Sequence, residues 1–176
     1  NTSEIYHVVW NSEQFRFFGA LRDHQLVGAD FALIEKLNNE YKLNPYIRNS
    51  LYGEVLPSFY IDFFNFIGTQ VPVGHAVCIS GYDSHVKCGD VISSDSELRL
   101  RSLRPGSNRD NFHHMIQAII DGPLSNRDIG GTVFSMEYDE TANATHILVL
   151  GIVTEIRYVS IHRRTTITIQ PFHIII

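Results

Sequence analysis

Long apolar runs are scarce in this sequence. The longest, Ile147 to Val153 and Phe172 to Ile176, fall well short of the roughly 20 residues that a membrane-spanning helix needs, so no membrane span is expected. Cysteine is equally sparse: Cys78 and Cys88 are too few for a disulfide framework or a cysteine-based zinc site, although they can pair with each other. Charge is thin, at 19% of residues with a net of −5, and the basic side chains gather only around Arg99/Arg101/Arg104 and Arg157/His162/Arg163/Arg164. Nucleic acid is therefore not an expected partner. A basic–apolar–small leader pattern is missing from the start of the chain. Gly-x-Gly-x-x-Gly, Walker, Gly-x-Ser-x-Gly and His-Glu-x-x-His motifs are missing too, which leaves nucleotide, serine-hydrolase and zincin readings without their usual support.

What the chain does have is bulk. Its 176 residues are 44% hydrophobic and include eleven Phe and eight Tyr, enough for one well-packed core and opposite in balance to a disordered chain. We expect a single domain over residues 1–176, with a lobe boundary near 122–131 where Gly122-Pro123 and Gly130-Gly131 interrupt the pattern. Sequons at Asn1-Thr2-Ser3 and Asn143-Ala144-Thr145 permit glycosylation of a secreted chain.

Periodicity predicts an α+β fold, with N-terminal helices packed on a largely antiparallel sheet and a strand-rich C-terminal half. A helix capped by Ser12 is expected over 13–21, where Phe15 and Phe18 share a face. Ala29, Leu33, Leu37 and Tyr41 step by four and predict a second helix over 29–43. Phe112, Met115, Ile116, Ile119 and Ile120 make the apolar stripe of a third, ending at Gly122-Pro123. Strands are predicted at 5–10, between Pro57 and Phe66, over 71–82 and over 86–93, the last two joined by Asp83-Ser84-His85 as a hairpin. Four more runs, 131–138, 146–153, 155–161 and 165–170, read as a meander.

The segment with most chemical content is Gly74-His75-Ala76-Val77-Cys78-Ile79-Ser80-Gly81-Tyr82-Asp83. A histidine opening an apolar strand that closes on Gly-Tyr resembles the histidine strand of papain-like cysteine peptidases. The resemblance implies His75 as the general base that activates a thiol, and Asp95, after the following strand, as the residue orienting its imidazole; Asp90 competes for that role. It also implies a cysteine at the start of an upstream helix, yet no cysteine precedes Cys78, Asp30 and Phe31 stand where one is needed, and Asn-Ser-Trp-Gly is missing. Gln25 alone matches the expected oxyanion-hole glutamine. Cys78, three residues from His75, points to the opposite face of a strand.

The functional expectation is a papain-related domain lacking a complete catalytic site in this chain, with a peptide or protein partner and no cofactor. The alternative is a noncatalytic, β-rich subunit that associates through its apolar end, Phe172 to Ile176. Other groupings carry less: His75, Asp83 and His85 match no compact zinc spacing, and Asp128, Glu137, Asp139 and Glu140 form a mildly acidic region that a solvated edge explains.

Overall fold

The computed structural model describes residues 3–8, 14–25, 31–43, 47–49, 54–56, 71–100, 110–139, 144–159 and 164–172. Two compact units are present, Asn1–Asn44 and Pro45–Ile176. In the first, β1 (Glu4–Val8), β2 (Phe15–Gln25) and β3 (Phe31–Lys36) form an antiparallel sheet in that order. The rings of His7 and Phe18 each meet Tyr41 edge-on at 5.3 Å.

The second unit holds the small hairpin β4 (Ile47–Asn49) and β5 (Glu54–Leu56), then β6 (Ala76–Gly81), β7 (His85–Leu100), β8 (Asp110–Asp121), β9 (Thr132–Asp139), β10 (Ala144–Val159) and β11 (Arg164–Pro171). These last six close into a barrel in the order β10-β11-β8-β7-β6-β9. Closure leaves the barrel sheet no continuous open side, and alternation sends every second side chain inward. Val77, Ile79, Val91, Ala118, Ile120, Val133, Ile167 and Ile169 are buried in one core cluster. The opposite faces of β6, β9 and β10 supply Cys78, Phe134, Ile147 and Val149 to a second cluster with Ile47 of β4, against which Phe172 packs. Residues 173–176, the rest of the apolar end, lie outside the described residues.

This overturns the α+β expectation. Among the described residues the only helical element is the 3-10 turn Asn126–Asp128, and the segments expected as helices are β2, β3 and β8. For β8 the cause is a bulge. Pairing runs Ser96↔Met115 and then Leu98↔Phe112, so β8 carries one extra residue there, and His114 takes a left-handed φ of 59°. The bulge spaces the buried Phe112 and Met115 by three residues, which imitates a helical stripe. Beyond it the strand period returns: Ile116, Ala118 and Ile120 are buried while Gln117 and Ile119 are half-buried. The period-four residues Leu33, in β3, and Leu37, just after it, are exposed, at 60% and 49%, so that spacing built no helical face. The strand expected after Pro57 falls outside the described residues. Residues 122–131 connect β8 to β9 within the second unit.

The two readings of β8 differ sharply at Ala118, which lies off the helical stripe but is fully buried in the barrel. Ala118→Glu places an unpaired carboxylate in the core and should cost more than about 4 kcal/mol or abolish folding. Ile119→Glu, at the heart of the helical stripe, should cost clearly less; denaturant titration of both variants checks the order.

Candidate functional site

Ser125-Asn126-Arg127-Asp128 is a short capping sequence in which a hydroxyl and a carboxylate three residues apart can satisfy each other's backbone N–H groups. The structure forms both halves of this box, the Asp128 N–H turning to the Ser125 side chain and the Ser125 N–H donating to Asp128 Oδ2 at 2.8 Å, while Arg127 N–H also donates to Ser125 Oγ at 3.1 Å. Asp128 also reaches a second segment. The N–H groups of Asp83 and Ser84, in the β6–β7 turn, donate to its Oδ1 at 2.8 and 3.0 Å, and the Ser84 hydroxyl donates to Oδ2 at 2.5 Å.

Asp128 is fully buried. Burial pushes its carboxyl up, but the hydrogen bonds from the Ser84 hydroxyl and from the N–H groups of Ser125, Ser84 and Asp83 together outweigh this and hold it below the usual carboxylate range. The approach requires glycine at position 81, because a Cβ there would lie 2.3 Å from Asp128 Oδ1.

Beyond Asp128 the chain exposes Ile129, 48% accessible, then turns through Gly130 with φ of 86°. Gly130 N–H donates to Val153 O at 2.8 Å, and Val153 N–H donates to Gly131 O at 3.0 Å. The turn is thereby tied to β10 at one point. On one side β10 pairs with β11 from Gly151 to Val159; on the other it pairs with β9 only from Ala144 to Ile152. Past Val153, among the described residues, that second edge of β10 carries no partner strand. Beside the tip, the Arg127 guanidinium lies 4.2 Å over the Tyr82 ring and 3.3 Å from Asp83 Oδ1.

The residues singled out from sequence sit elsewhere. His75 is half-buried just before β6; its N–H donates to Pro72 O and its carbonyl accepts from Val91 N–H. Asp95 is exposed on β7, four residues past Val91 or roughly 13 Å of extended chain, and its carboxylate meets the His114 imidazole at 3.1 Å. Asp90 is exposed opposite Ala76. His113 pairs in the same way with Glu97 at 3.3 Å. Cys78 and Cys88, directly opposite in the β6–β7 register, form a disulfide. Among the described residues no group of three or more His, Cys, Asp or Glu is placed to hold a metal ion. Sequence reading missed the role of Asp128; the available signals were the serine three residues before it and the glycine pair after it.

No protein-family model matches the chain, and no curated protein matches it. Solved structures of similar fold are serine proteases. Cellulomonas bogoriensis chymotrypsin aligns with a TM-score of 0.60 and 19% identity over 87% of this chain and 68% of its own. A glutamic acid-specific serine protease described as using a histidine triad in substrate binding aligns at 0.67 and 14% identity, over 93% and 72%. Nocardiopsis protease aligns at 0.59 and 16% identity, over 88% and 67%. The fold is thus that of chymotrypsin-like serine proteases, which corrects the papain-like resemblance and the papain-related function drawn from it. The physical reason is that an apolar strand bracketed by glycines also suits a buried barrel hairpin: in this one Gly81 makes room for Asp128.

Asp128→Ala would strand three backbone donors and a hydroxyl away from their acceptor, at an expected cost of about 3–5 kcal/mol. Because the folded carboxyl is held below its unfolded value, its contribution is complete above the unfolded pKa of about 3.9 and is lost as pH falls below it through the folded value. Chemical denaturation between pH 6 and 2 (roughly the range of carboxylate titration) should show a smaller acid loss for Asp128→Asn than for the parent chain.

Proposed function

We propose that this chain is a polypeptide-binding protein of serine-protease fold, which takes an extended peptide as an added strand on the open edge of β10 beside the Ser125–Gly131 turn. The observation that carries the reading is the edge itself: past Val153, β10 is backed by β11 and lacks a second partner strand among the described residues. Strand addition to such an edge draws affinity from main-chain hydrogen bonds and selectivity from alternate side chains. The solved structures of similar fold are proteases, which act on polypeptide.

Serine-protease chemistry needs a serine hydroxyl whose proton an imidazole accepts, beside donors that receive the oxyanion. At this turn the exposed tip is Ile129, which has no nucleophilic atom, while the hydroxyls of Ser84 and Ser125 are engaged in holding the turn. The reading therefore centres on recognition, with no cleavage at the turn.

A pool of fluorescent extended peptides, followed by anisotropy for binding and by mass spectrometry for cleavage, tests it. Saturable binding with the peptides left intact is expected. Cleavage abolished by a fluorophosphonate would contradict the noncleaving part, and an absence of saturable binding would contradict recognition.

A further inference from the structure

From the two faces of β10 we infer that its peptide partner is an amphipathic strand, whose apolar side chains occupy the alternate positions lying alongside Ile156 and Tyr158. The inference rests on the peptide-binding reading above and adds the class of peptide bound.

Between Glu155 and Val159 the pairing of β10 with β11 is unbroken, so side-chain direction alternates regularly there. Glu155 lies opposite Thr168 and Arg157 opposite Thr166. These two share a face and form an ion pair at 2.9 Å, and the Thr168 hydroxyl donates to Glu155 Oε2 at 3.3 Å. That face is charged but internally neutralised, so it offers an added strand polar contact with little preference for either sign.

The other face differs. Ile156 lies opposite Ile167 and packs against the barrel core, and Tyr158 lies opposite the buried Thr165. Tyr158 is nevertheless 53% exposed. A strand added to the open edge would put alternate side chains beside Ile156 and Tyr158, where apolar and β-branched groups gain most from cross-strand contact, and the intervening ones beside Glu155 and Arg157. A one-residue slip in the peptide would reverse every contact, so the alternation also sets the register.

The test compares two fluorescent peptides of one composition, capped with lysines for solubility: one alternates valine and threonine, and the other has its valines contiguous. With the full chain, the alternating peptide should bind about tenfold more tightly by anisotropy, as two apolar cross-strand pairs allow. Tyr158→Thr, which keeps a β-favouring residue at an exposed position, should melt like the parent and lose most of that preference. Equal affinity for both peptides, or a preference untouched by Tyr158→Thr, would overturn the inference and leave peptide binding standing. Binding of neither would overturn the peptide-binding reading along with it.

Discussion

A buried carboxylate has to be hydrogen-bonded by whatever surrounds it, and in this barrel that requirement joins two segments far apart in sequence. Asp128 gathers donors from Ser125 in its own turn and from Asp83 and Ser84 in the β6–β7 turn. Four bonds to one side chain fix the path of the chain just before Ile129, and the paired bonds between Gly130–Gly131 and Val153 fix it just after. The exposed tip is therefore held from both sides. Its position relative to β10 follows from those contacts and needs no packing of the tip side chain.

Among the described residues, the same contacts decide where β10 becomes available. The turn occupies the strand's second side at Val153, after β9 has ended its pairing at Ile152. An edge left in this way invites unspecific association, and charged side chains are a common protection. Glu155 and Arg157 supply such charge on one face while Ile156 and Tyr158 leave the other apolar. An edge that discourages indiscriminate pairing yet favours strands of one pattern is consistent with selective peptide binding.

The strand-rich second half was legible in the sequence because runs of β-branched and aromatic residues there are separated by short polar connections. The β6–β7 hairpin turns at Tyr82–Ser84, over nearly the connection read from polarity, and the apparent break between the runs 146–153 and 155–161 coincides with the register shift in the single strand β10. The helices were misread because spacing alone does not separate a helix from an irregular strand: the bulge at His113–His114 sets Phe112 and Met115 three positions apart. The papain-like resemblance drew on a short apolar segment whose bounding glycines have a different cause. Asp128 looked like one more acidic residue of a polar loop, since nothing local shows that the donors of Asp83 and Ser84, 45 and 44 residues away, converge on it.

If the edge of β10 past Val153 receives a polypeptide strand, amide hydrogen exchange on the full chain with and without saturating peptide will register it residue by residue. Of the amides from Glu155 to Val159, those directed at β11 should be protected in the free protein, and the alternate ones on the open side should exchange fast. Peptide should slow the open-side amides selectively, with little change in β6, β7 or β8. Bound peptide that leaves them fast, or that protects a different strand, would contradict the account.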